Sequence, residues 1–283
     1  MSDMFEPTSD TIGGWRAGFR GGIGTLLAVA IIVAVLVTGV NAAQVHLFGR
    51  DIPALLEHLS QVPGFALVIL IALLAFRREE IGLRSIGLDR SLVLPAVVTV
   101  AGLVAAANLV AMAQALRTGD GLQVGFIYDH SPTLVAVATV NTYVFNAVAE
   151  ELLTRGYFQN KLVVLLDGRG DRFRRAAGVA GASGLFALLH VPTLLQQGVP
   201  VGAIPFGLLP LFVTGIAFGT VYELTRNLYL VVLLHGVGNY WPLFVEGVQW
   251  PNWPALLVLY ALLVLAYRAW AGVTTRRTLG VAG

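Results

Sequence analysis

Three groups of polar residues stand in stretches of otherwise apolar sequence: Glu150-Glu151-x-x-x-Arg155, Phe186-x-x-x-His190 and His235-x-x-x-Asn239. Members four residues apart share one face of a helix. Glu151 and Arg155 have that spacing with the acid first, the favourable order for an ion pair along a helix. Glu150 diverges from its neighbour by about 100° and is expected to face the interior of a helix bundle. One carboxylate is then neutralised and the other is left as a tunable base. His190 can hydrogen-bond a water held by Glu150 or share a metal with it. His235 and Asn239 supply imidazole and amide donors of the kind that an oxyanion needs. No serine or threonine stands out as an activated nucleophile and the chain has no cysteine. Direct attack by water is therefore expected.

The elements that carry these residues follow from composition. The chain has 283 residues, of which 57% are hydrophobic and 12% charged, with a mean hydropathy of +0.77. Soluble domains carry about twice that share of charge, and a disordered chain has far less apolar surface. The fold class expected is all-α, a polytopic helical membrane protein with an intramembrane polar cavity. Ionisable residues in hydrocarbon are costly and rare unless they serve a function. Without cysteine there is no disulfide, thiolate nucleophile or thiolate metal site. A net charge of +2 gives no argument for nucleic acid as a partner.

About eight spans are expected, at about 22–44, 62–76, 92–114, 133–154, 177–195, 204–224, 228–246 and 254–271. The second is short, and Pro53 to Ser60 before it reads as interfacial or re-entrant. Trp241, Trp250 and Trp253 suit an aromatic belt at a membrane surface. With these spans, all but two of the 18 Lys and Arg fall on one side, the exceptions being Arg50 and Arg117. That count treats the whole 155–175 segment as a basic loop. Basic residues favour the cytoplasm, so both termini are expected inside. The first apolar run reads as a signal anchor, since no convincing cleavage site follows it. The economical organisation is one integral domain: N-terminal spans over 1–132, a core over 133–246, and a last span with a tail over 247–283. Gly215-x-x-x-Gly219 reads as ordinary close helix packing rather than a dimer motif. His46, His58 and His130 fall in expected outer loops, and Glu223 with Arg226 reads as local pairing at a turn.

Each polar group has a plain alternative. A Glu–Arg pair at a helix end can be an interfacial anchor, a lone histidine can bond a backbone carbonyl, and His235 with Asn239 can clasp two helices. Three such coincidences, each at turn spacing in a separate span, are less economical than one site. The ordered set Glu-Glu-x-x-x-Arg, Phe-x-x-x-His and His-x-x-x-Asn resembles the CPBP family of intramembrane proteases, which includes the CAAX prenyl endopeptidases and bacterial bacteriocin-processing and immunity proteins. The resemblance covers about 140–245, and Phe218-Gly219-x-x-Tyr222 shares the family's look.

The resemblance implies that Glu150 and His190 activate water for attack on a peptide carbonyl. It further implies that His235 and Asn239 stabilise the oxyanion, with Glu151, Arg155 and Phe186 in support. Two glutamates and two histidines can ligate zinc, whereas His-x-x-x-Asn is explained without metal. A metal-independent mechanism is favoured, and zinc on Glu150, His190 and His235 is the alternative. The cavity should open to the cytoplasmic side, with Glu150 and His235 a turn or two from that face. For His190 to reach them, its span must begin later than 177 or tilt. Expected partners are a membrane-associated peptide or protein substrate and the membrane lipids. Two other classes of function compete: a non-catalytic membrane scaffold or regulatory partner that keeps the fold, and a solute or proton transporter. The transporter expects broken helices in matching halves, and no internal repeat is found.

Overall fold

The computed structural model describes residues 19–49, 51–118, 131–166, 170–240 and 267. All regular structure there is helical. In chain order the elements are α1 (Ile23–Phe48), α2 (Ala54–Arg78), α3 (Val93–Thr118), α4 (Pro132–Leu165), α5 (Asp171–Leu189), the short α6 (Val191–Gln196), α7 (Ile204–Thr225) and α8 (Leu228–Asn239). Short 3₁₀ turns at Leu83–Ile86, Arg90–Leu92 and Val201–Ala203 join them.

Among the described residues, six helical stretches are long and apolar enough to cross a bilayer, and Leu228–Asn239 is a shorter apolar helix. The first, third and sixth expected spans lie close to α1, α3 and α7. The expected eighth span, apart from Tyr267, lies outside the described residues, as do Trp241, Trp250, Trp253 and His130. The chain is thus a multi-pass membrane protein, and the full count of eight is not reproduced.

Several boundaries need correction. Ala54 to Ser60 form the first turns of α2 rather than a separate interfacial segment, because Pro53 at the N-cap costs the helix no donor. α4 does not stop near Thr154 but continues to Leu165, so Glu150 lies mid-helix. α5 begins earlier than expected, at Asp171, and His190 caps its far end. α8 ends at Asn239, where Tyr240 turns extended. His46 and His58 are not loop residues: His46 is in the last turn of α1 and His58 lies within α2.

The bundle is apolar on its surface, and its largely apolar core also encloses a set of polar side chains. Ile23, Leu94 and Phe206 are among many exposed large apolar side chains, whereas Glu79, Glu151, Arg155, Gln159, Asn160 and Lys161 are buried. Hydrocarbon solvates the first group, and the second must find partners within the protein.

Those partners tie the helix ends together. At one end the Glu79 carboxylate accepts from the Gly21 backbone N–H (3.1 Å), the Thr25 hydroxyl (3.1 Å) and the Tyr157 hydroxyl (2.7 Å), and pairs with Lys161. Lys161 also donates to the Gly21 carbonyl. Arg155 and Lys161 are therefore buried helix residues, not loop charges. At the same end Asn227 caps α8 by accepting from Leu230 N–H (3.1 Å) and donates to the Leu92 carbonyl (2.9 Å). Gly87 completes this seam. Its φ is +83°, and a Cβ there would lie 2.5 Å from the Arg226 carbonyl oxygen. At the other end Gln44 joins Ser60 and Gln196, while Asn141 donates to Gln61 (3.1 Å) and to His58 Nδ1 (3.2 Å).

α5 and α7 pack in intimate contact. A Cβ on Gly215 would lie 2.9 Å from Ser183, and one on Gly219 would lie 2.9 Å from Gln159. The glycine pair therefore serves packing within the chain. It also bares two carbonyls, which accept from Arg155 and Gln159.

Candidate active site

α4 departs from regular geometry on both sides of the two glutamates. Asn141–Asn146 and Leu152–Gln159 are π-helical, and only Ala147–Glu151 between them is α-helical. Such π-helical turns are rare and are found frequently at functional sites. Their wider winding shifts which side chains share a face, so faces drawn at 3.6 residues per turn fail beyond these few residues.

Glu151 and Arg155 form the expected ion pair, Nε to Oε2 at 3.2 Å, with both side chains buried. The rest of the Arg155 guanidinium is satisfied by the Thr154 hydroxyl and by the Gly215 carbonyl (2.9 Å). It lies over the rings of Phe186 and Phe218, 5.3 and 5.8 Å from their centroids. A charge so deep needs all of these partners, because desolvation costs more than one ion pair returns.

Glu150 faces the other way and meets both histidines. His235 Nε2 is 3.5 Å from Oε2, and His190 Nε2 is 3.9 Å from Oε1. Each imidazole is oriented through its other nitrogen. His190 Nδ1 lies 2.8 Å from the Phe186 carbonyl oxygen. A carbonyl can only accept, so Nδ1 carries the hydrogen and neutral His190 presents an Nε2 lone pair to Glu150. His235 Nδ1 lies 2.6 Å from Glu151 Oε1. That carboxylate also accepts, and it fixes the same tautomer. Phe218 stacks on His235 with centroids 5.2 Å apart, and Phe186 packs edge-on against His190 at 4.6 Å. Glu150 and His190 keep 20% and 25% of their side-chain surface exposed, against 4% for His235 and 0% for Glu151. The accessible side of the site is thus Glu150 and His190.

Asn239 lies on the last turn of α8. It reaches the site through another amide, donating to Asn146 Oδ1 (2.8 Å), while Asn146 Nδ2 donates to Glu150 Oε1 (2.8 Å). Asn146 was not among the residues singled out in the sequence. Its signal was an amide one turn before Glu150 on an apolar helix. Thr154, which donates to the Glu150 carbonyl and accepts from Arg155, was missed as well.

α4, α5 and α8 therefore bring Glu150, Glu151, Arg155, Phe186, His190, His235 and Asn239 to one place. Among the described residues, no group of three or more His, Cys, Asp or Glu side chains is disposed to hold a metal ion.

Neither the curated proteins nor the solved structures contain a match to the chain. Residues 132–241, which carry every member of the site, match the family model described as Type II CAAX prenyl endopeptidase Rce1-like, a match that supports assignment of this segment to the CPBP/CAAX protease family.

Proposed function

We propose that the protein is an intramembrane endopeptidase that hydrolyses peptide bonds of membrane-associated peptides or proteins with a water activated by Glu150 and His190. One observation carries this reading. Two imidazole Nε2 atoms flank a single carboxylate at 3.5 and 3.9 Å, each imidazole being oriented by a bond on its other nitrogen. The His190 lone pair and the Glu150 oxygen are both acceptors and stand too far apart to bond directly. A water donating one hydrogen to each satisfies both, and its oxygen lone pair is then directed away from them.

The water oxygen attacks the carbonyl carbon as Glu150 takes a proton. The tetrahedral oxyanion accepts hydrogen bonds from Asn239 and from His235. His235 donates from Nε2 only as an imidazolium, and Glu151 on its other nitrogen is the counter-ion for that charge. The intermediate collapses as Glu150 returns its proton to the departing amine. Arg155 holds Glu151 in place through their ion pair, so that the second carboxylate orients His235 while Glu150 alone takes the proton of the water.

The test uses purified, detergent-solubilised protein and a panel of membrane-tethered peptides, prenylated and unprenylated. Glu150→Gln should lower the cleavage rate by about 10²–10⁴-fold, the usual worth of a general base. Chelator-resistant cleavage supports the mechanism as written. Loss under chelation with recovery in zinc would make Glu150, His190 and His235 ligands instead. Absence of any cleavage by the wild type would favour the scaffold or regulatory reading.

A further inference from the structure

We propose that Asn146 is a positioning residue that joins the base and the oxyanion donor, Glu150 and Asn239, into one mechanical unit. The proposal rests on the protease reading above. The carboxylate dictates the orientation of both amides. Glu150 Oε1 accepts, so Asn146 must turn its Nδ2 toward it, at 2.8 Å. This leaves Asn146 Oδ1 facing α8, where it accepts from Asn239 Nδ2, also at 2.8 Å. Reversing either amide would set oxygen against oxygen at hydrogen-bond distance. Asn239 Nδ2 carries two hydrogens, and only one is committed to Asn146. The direction of the second is thereby set by a chain of bonds that starts at the general base.

The surroundings show why such a link is needed. Asn239 is the last residue of α8, and the backbone turns extended at Tyr240. A side chain at a helix end lacks the restraint of a following turn. α4 holds this end at two points. The Tyr143 hydroxyl donates to the Tyr240 carbonyl (2.9 Å), and Asn146 holds Asn239. Both anchors come from the π-helical stretch Asn141–Asn146. Asn146 is its last residue, and the α-helical turn that follows places Asn146 and Glu150 on one face. Gly236 admits the Tyr143 ring between them, since a Cβ there would lie 2.4 Å from Tyr143 Cδ1.

A plain helix–helix clasp would contribute to stability and leave turnover untouched, whereas a positioning link acts on kcat. With a peptide that the wild type cleaves, Asn146→Ala should lower kcat on the order of 10²-fold, the cost of a misplaced catalytic group. KM should stay within about twofold, because substrate contacts are intact. Asn239→Ala should lose a similar factor, and the double variant should fall little further than Asn146→Ala alone, as members of one unit do. Asn146→Leu keeps about the size of the side chain and is a good helix former, but can neither donate to Glu150 nor accept from Asn239; its kcat should fall at least as far. Losses that multiply in the double variant, or wild-type turnover in Asn146→Leu, would overturn the proposal.

A second readout does not depend on activity. The infrared carboxylate band of Glu150, identified by its loss in Glu150→Gln, should shift in Asn146→Ala. An unshifted band overturns the proposal whether or not any peptide is cleaved. A shifted band beside a wild type that cleaves nothing counts against the protease reading instead.

Discussion

Glu150 and Glu151 are neighbours in sequence with opposite fates. Glu151 is buried between Arg155 and His235, and Glu150 keeps part of its surface beside His190. Glu151→Gln would leave the buried Arg155 without its counter-charge, which costs about 3–5 kcal/mol when one member of such a pair is removed. The variant should unfold at a clearly lower temperature in detergent, as followed by differential scanning fluorimetry. Replacing both members by apolar residues of similar volume, Glu151→Leu with Arg155→Met, should restore most of that stability and none of the activity. Failure of the double variant to recover stability would show that the Gly215 carbonyl and the Phe186 and Phe218 rings need the guanidinium itself.

Helix registers decide whether these side chains meet. α4 carries Glu150 between two π-helical stretches, and α8 carries His235 about 10 Å from its start at Leu228. α8 can approach α4 only because Gly236 leaves room for Tyr143. Gly236→Ala should therefore destabilise by about 1–3 kcal/mol through overpacking and push His235 away from Glu150. Its turnover should fall by more than the loss of folded protein explains, when kcat is referred to the folded fraction. Gly215→Ala tests the same principle at α5–α7. A Cβ at 2.9 Å from Ser183 should lower stability in the same range, with the site affected only through the Arg155 bond to that carbonyl.

On the scale of the whole molecule, polar knots at the helix ends hold an otherwise lipid-facing bundle together. The Glu79 knot joins the entry to α1, the end of α2 and the last part of α4. Burial raises the Glu79 pKa, but the hydrogen bonds from Lys161, Tyr157 and Gly21 and the Lys161 charge outweigh it and hold the carboxyl below its ordinary value of 4.5. A carboxyl depressed in the folded state stabilises it fully above the unfolded value and loses that contribution as pH falls through the folded one. Wild-type stability should thus decline below about pH 4.5 more steeply than that of Glu79→Gln. Parallel unfolding curves for the two proteins from pH 3 to 6 would dismiss the role of this knot. The orientation of the bundle can be read separately, because the chain has no native cysteine. If the basic side faces the cytoplasm, an impermeant maleimide should label Asp51→Cys and not Arg84→Cys in intact cells. The opposite pattern would invert the topology.

Much of this was legible in the residues themselves. Composition and the length of its apolar runs determined a helical membrane protein, since continuous runs of about 20 apolar residues suit spanning helices and not the alternating strands of a barrel. Turn spacing pointed to the Glu151–Arg155 pair and the Phe186–His190 contact, and both form at that spacing, although Arg155 lies within a π-helical stretch. The divergence of Glu150 from Glu151 was legible for the same reason. What needed the tertiary structure was everything that crosses between helices or departs from 3.6 residues per turn. The π-helical stretches of α4, the run of that helix to Leu165 and the burial of Lys161 beneath Glu79 leave no periodic trace in the sequence. The link from Glu150 through Asn146 to Asn239 depends on where the last turn of α8 meets α4. A single sequence specifies which side chains a helix offers, but which of them touch is settled only when the helices pack.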